Sequence, residues 1–101
     1  MDLVLSGFDW DTGNLEKCRK HGVSIAGIEA LFARPLAVRA DDAHSLAEQR
    51  FIAVGRGRAG RPIFLVFTLR KRGGHTYVRP IAARYMHKKE IRRYEKENPG
   101  L

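Results

Sequence analysis

The spacing of apolar residues changes at a few definite places in this chain, and those places divide it into elements. Residues 3–10, Leu-Val-Leu-Ser-Gly-Phe-Asp-Trp, supply a short strand. Asp11 then stands as a helix N-cap, with Trp10 before it and Leu15 after it in the positions of a hydrophobic staple. This helix is expected to run to about His21. Lys17, Lys20 and His21 suit the negative end of its dipole, and Gly22 suits the turn that ends it. Ser24 repeats the device, with Val23 and Ile28 as the second staple. Ile25, Ile28, Leu31 and Phe32 make one apolar stripe, which Pro35 stops. The pattern predicts two helices joined by a glycine-containing turn across residues 12–33.

Beyond Pro35 the signals are those of strands. Leu36–Arg39 is a short candidate, followed by a polar loop, Asp41–Glu48. Arg50–Gly55, Pro62–Leu69 and Thr76–Arg84 are then predicted as three strands. Pro62–Leu69 is an almost unbroken apolar run, as expected of a central strand covered on both faces. Gly57 and Gly60 punctuate the first connection and Gly73-Gly74 the second, so both read as hairpins. Pro80 inside the last strand implies an edge position or a bulge. Residues 87–97 form a charged final helix with Ile91 and Tyr94 as its main apolar contacts, ended by Asn98-Pro99-Gly100. The order is two helices, an antiparallel meander and one helix, an α+β domain.

Composition narrows the class. The chain has 101 residues, which suits one domain over 1–101, and 44% of them are apolar, too many for a disordered chain. The single Cys18 excludes an internal disulfide. The N-terminus carries no pattern of a signal peptide and no apolar run approaches a membrane span, so a cytoplasmic protein without membrane contact is expected.

Charge changes the picture more. Residues 50–101 hold 14 lysines and arginines against three acids, a net of +11, whereas residues 1–49 hold five against eight, a net of −3. Clustered cations gain from counterion release, which points to a polyanion; the plain alternative is a solvated basic surface. Arg56, Arg58, Arg61, Arg70, Lys71 and Arg72 fall at hairpin ends. Lys88, Lys89, Arg92 and Arg93 share one broad face of the last helix, where like charges so spaced favour a compensating partner.

The candidate chemistry is sparse. No glycine-rich phosphate loop, nucleophile elbow or paired-carboxylate motif is present. Cys18-x-x-His21 lacks a second ligand pair and Asp41-Asp42 is weak evidence for a two-metal nuclease, so neither a metal nor a cofactor is expected. What remains is a metal-free ribonuclease set. It needs a group to deprotonate a ribose 2′-OH, an acid for the leaving 5′-oxygen, and cations around the developing charge. Glu48, His21, His44, His87 and Tyr94 can move protons; Arg50, Arg84 and Lys88 can clamp phosphate. Arg50 as an exposed strand residue, Arg84 as a structural partner of Glu48, and Tyr94 as a core residue are the alternatives.

At these residues the chain resembles the BrnT family (DUF497), ribonuclease toxins of type II toxin–antitoxin systems. The resemblance is carried by Phe8-Asp9-Trp10-Asp11, Gly13-Asn14, Lys20-His21-Gly22-Val23-Ser24, His44-Ser45, Glu48-x-Arg50, Gly60-Arg61 and Val66-Phe67-Thr68. Arg79-Pro80-Ile81-x-Ala83-Arg84, Glu90 and Tyr94 complete it, with Ala82 where the family often has Ser. The resemblance implies a RelE-like fold, with two N-terminal helices packed on an antiparallel sheet and a C-terminal helix. It also implies RNA cleavage that inhibits translation. The implied partner is a BrnA-like ribbon-helix-helix antitoxin, assembled as a heterotetramer that meets operator DNA only through the antitoxin. On this reading His21, Glu48, Arg50 and Arg84 are the catalytic candidates, and Lys20, Arg61, Arg79, His87, Lys88 and Tyr94 are candidates for RNA binding. The reading set against it is a non-catalytic basic module that binds RNA or the ribosome.

Overall fold

Local hydrogen bonds begin the helices where the sequence places them. In a computed structural model, which describes residues 4–44, 47–57 and 59–100, α1 (Thr12–Arg19) is capped by Asp11. The Asp11 carboxylate accepts from the Asn14 amide at 3.1 Å, and Asn14 Oδ1 accepts from the Asp11 amide at 2.7 Å. Those bonds occupy donors that a helix start leaves free. Ser24 caps α2 (Ile25–Leu31) by accepting from the Gly27 amide at 3.0 Å. Between the helices Gly22 takes a φ of 82°, a left-handed conformation that suits glycine. Ser45 and Arg58, both read above as functional or basic positions, lie outside the described residues.

The strands are β1 (Leu5–Phe8), β2 (Ala37–Ala40), β3 (Phe51–Arg56), β4 (Pro62–Arg72) and β5 (His75–Tyr85), with a short 3₁₀ turn at Asp42–His44 and α3 (Lys88–Glu97) at the end. They form one sheet in the order β1-β5-β4-β3-β2. β4 is central, as its apolar run predicts, and it continues to Arg72, so Arg70–Arg72 belong to the strand and not to the turn. Gly73 and Gly74, with φ of 54° and 82°, make the two-residue turn into β5.

The expectation of a purely antiparallel meander needs correction. β2 to β5 reverse at each step, but β1 pairs with β5 in parallel, Leu5 opposite Thr76 and Phe8 opposite Val78. The cause is topological: α1 and α2 carry the chain from β1 at one edge to β2 at the other, and three reversals then return β5 beside β1 running the same way. Pro80 sits at the expected bulge. Val66 faces Ala82 and Phe67 faces Pro80, which leaves Ile81 as the extra residue.

The two faces of the sheet differ. On one, Cys18, Val23, Ile28 and Leu31 from the helical segment pack against Ala53, Ile63, Leu65, Val78 and Ala83. Edge-on contacts link Phe8 to Phe32 and Phe32 to Phe67 at 5.5 Å. Strand alternation turns Ile52, Val54, Phe64, Val66, Thr68, Ala82 and Arg84 to the other face. There α3 covers one end of the sheet and Tyr94 is buried, 3% exposed. Among the described residues no helix is long and apolar enough to cross a membrane.

Candidate functional site

The face shared with α3 carries three of the four catalytic candidates, at two separate levels of the sheet. Glu48 and Arg50 enter it from the segment before β3, and Arg84 enters it from β5. The segment is fixed to the central strand by Thr68, whose hydroxyl donates to the Gln49 carbonyl at 2.7 Å. Arg50 precedes Phe51, the partner of Phe67, and so lies level with Thr68; Arg84 pairs with Phe64. Four residues of strand separate these levels, about 13 Å along the sheet. Ala82 lies between them, opposite Val66. Ala82, the position where this chain departs from the resemblance, is therefore on this face, between the two arginines.

Arg84 is the most defined member. Its Nη1 and Nη2 donate to Glu90 Oε1 and Oε2 at 2.7 and 2.8 Å, and its guanidinium lies 4.6 Å from the centre of the Phe64 ring. The Glu90 carboxylate also accepts from the His87 amide at 2.8 Å. Held mainly by Arg84 and then by that amide, Glu90 is pushed down to about 2, so it stays ionised at neutral pH and cannot serve there as a proton donor. A planar fork laid on an aromatic ring and occupied by two carboxylate oxygens has the geometry that would receive two phosphate oxygens. The proposed structural pairing of Arg84 with Glu48 is not what is found. Glu48 instead accepts from Arg70 Nη1 at 2.6 Å.

The remaining candidates are spread more widely. Arg79 pairs with Asp11 at 2.8 Å and lies 3.7 Å from Asp9, which also accepts from Arg72 at 2.9 Å. Its neighbour Asp11 is held below the ordinary carboxylate range, first by the Asn14 amide and then by Arg79. Arg61 is exposed and stacks on Tyr85, 3.7 Å from the ring centre. His87 caps α3 and Lys88 opens it, both exposed. Lys20 and His21 are exposed just past α1, an element that packs in the layer on the opposite face from Arg84. Tyr94 is buried under α3 with the Arg56 guanidinium 5.7 Å from its ring centre, so RNA contact at this tyrosine requires α3 to move. His44 Nδ1 lies 3.1 Å from Asp41, and His75 Nδ1 lies 3.2 Å from Ser6 Oγ. Among the described residues no group of three or more His, Cys, Asp or Glu side chains is placed to hold a metal ion.

Two functional features were not read from the sequence. One is Glu90 as the carboxylate that occupies Arg84; its signal was present as a strand-end arginine followed by a glutamate in the next helix's first turn. The other is the neutralisation of Arg70, Arg72 and Arg79 by Glu48, Asp9 and Asp11, contacts separated by 22 to 68 residues in sequence. Nothing local announces those.

The model of a family described as "Ribonuclease toxin, BrnT, of type II toxin-antitoxin system" matches residues 10–90. No curated protein matches the chain significantly.

Proposed function

Because the chain belongs to the BrnT family of ribonuclease toxins of type II toxin–antitoxin systems, we propose that it cleaves RNA on the sheet face shared with α3, without a metal ion, and so inhibits translation. The observation that carries this is the Arg84 fork, oriented on Phe64 and already engaged by a carboxylate. An RNA phosphate that replaces Glu90 there would gain two charge-assisted hydrogen bonds. Arg50 is the second phosphate ligand. In the reaction the ribose 2′-oxygen attacks phosphorus, its proton passes to a base, and the P–O5′ bond breaks with a proton delivered to the leaving oxygen. Glu48 is the proposed base and His87, at the start of α3 beside Glu90, the proposed acid, whereas His21 lies past α1 in the opposite layer. Lys20, Arg61, Arg79, His87, Lys88 and Tyr94 extend the RNA path. The protein acts in the cytoplasm and is restrained by a BrnA-like ribbon-helix-helix antitoxin. Two toxins and two antitoxins assemble, and the antitoxin supplies the contact with operator DNA. A RelE-like relationship is part of this reading.

Induced expression of the wild type, Arg84→Ala and Arg50→Ala, with growth and RNA integrity followed together, tests it. The wild type is expected to arrest growth and fragment RNA, and each variant to lose most of that effect while remaining folded. Intact RNA with abundant, folded wild type would sink the toxin reading for this chain.

A second reading is favoured by the ion pairs on Arg70, Arg72, Arg79 and Arg84, which leave lysines on α3 as open cations. It is a binding module for RNA or the ribosome without cleavage. Binding that falls steeply with salt, with RNA left whole, is its signature.

A further inference from the structure

Among the described residues the sheet ends at β2, which pairs with β3 and with no other strand, Ala37 to Val54 through Ala40 to Phe51. Such an edge offers a row of outward N–H and C=O groups. Its side chains are open as well, Val38 being 51% exposed. Grooves lie on both faces of the sheet beside this same strand. On the α3 side a groove of about 510 Å³ is lined by the apolar Ile52, Val54 and Phe64 and by the charged Glu90, Arg93 and Glu97 of α3. On the α2 side a groove of about 480 Å³ is lined by Phe32, Leu36, Phe51, Phe67 and Leu69. Val38 and Arg39 border both. Successive residues of a strand point to opposite faces, so one strand laid along β2 would fill the two grooves alternately.

From this arrangement, and resting on the toxin reading above, we propose that the β2 edge is the docking site of an extended antitoxin segment. The segment adds a strand to β2, sets apolar side chains alternately into the two grooves, and brings a carboxylate to Arg39. Charge selects this occupant. The Arg39 side chain is exposed and makes no ion pair or hydrogen bond among the described residues, on a chain of net charge +8. A second copy of the chain is disfavoured. Two four-residue strands paired with each other would hold their Arg39 side chains within about 10 Å, roughly one Debye length, on two strongly cationic molecules. RNA suits the α2-side groove poorly, because its lining is apolar apart from Arg39.

The experiment uses the full chain co-purified with the antitoxin encoded beside it. Amide hydrogen exchange is measured on the free and bound toxin, and affinity is measured for Val38→Asp and Arg39→Glu. Protection of residues 37–40 on binding is expected, with affinity lowered about tenfold or more in each variant. RNA cleavage by the free variants should be unchanged, since neither residue belongs to the proposed catalytic set. Should Val38→Asp fold poorly, the exchange pattern of the wild type and the Arg39→Glu affinity decide the matter. Protection confined to α3 or the helical layer, with both affinities unchanged, would overturn the proposal while leaving the toxin reading intact. So would a wild-type homodimer that Val38→Asp dissolves, since it would give the edge to a second copy. An inert wild type that binds no antitoxin would instead bring down the toxin reading and this inference with it.

Discussion

Glu90 does more for Arg84 than balance its charge. It accepts both guanidinium nitrogens and the His87 amide, and so joins the end of β5 to the first turn of α3. Its carboxyl is lowered from an ordinary 4.5 to about 2. A depressed folded value means that the interaction contributes fully above the unfolded value and is lost as pH falls through the folded one. Glu90→Gln is therefore expected to lower stability by about 1 kcal/mol at pH 7, a modest figure because the pair is partly exposed. The difference from wild type should shrink between about pH 4.5 and 2, as seen in thermal melts of both proteins across that range. A gap that stays constant down to pH 2 would contradict the assignment. Cys18 marks the opposite extreme. Burial pushes its thiol up to about 11, so it is a core side chain and not a nucleophile. The sequence could name Arg84 as a cation and Cys18 as a lone thiol. What each meets is set by residues that no short window contains.

At the scale of elements, one asparagine ties α1 to the sheet. Asn14 closes the cap with Asp11, and its Nδ2 donates to the carbonyls of Asp9 at 2.9 Å and Pro80 at 2.8 Å. Pro80 sits at the bulge of β5, just past the last residue that β1 covers, so its carbonyl needs this donor. Asn14 is 5% exposed. Asn14→Ala is expected to cost about 2–3 kcal/mol by stranding buried carbonyls. Asn14→Asp should be at least as damaging, because it keeps the capping oxygen but turns a second oxygen toward them. Denaturant unfolding of the three proteins checks this; an Asn14→Asp chain as stable as wild type would refute it. The cap at Asp11 and the bulge at Pro80 were legible in sequence, because caps and proline geometry are local. Their connection through Asn14 was not, since it spans 66 residues.

For the whole molecule, the uneven charge of the sequence is redistributed by folding. The acids Asp9, Asp11 and Glu48 from the front half lie on Arg72, Arg79 and Arg70 from the basic half. Lys88, Lys89, Arg92 and Lys96 remain exposed on α3 without an ion pair among the described residues. This outer face is the expected site of electrostatic RNA contact. Replacing Lys88 and Arg92 with alanine should reduce the salt slope of single-stranded RNA binding by about 1.4, at roughly 0.7 per phosphate contact. Titrations at several salt concentrations would show it, and an unchanged slope would move the contact elsewhere. The sequence by itself determined the order of elements, the two capped helices, the central strand and the excess of positive charge. These follow from spacing, caps and composition, which act over a few residues. Only the tertiary structure decided that β1 joins β5 in parallel, that Glu48, Arg50 and Arg84 share one face while His21 lies past a helix of the other layer, and which arginines are neutralised. Those outcomes depend on register and on which strand reaches which edge, and they are fixed by packing between residues far apart in the chain.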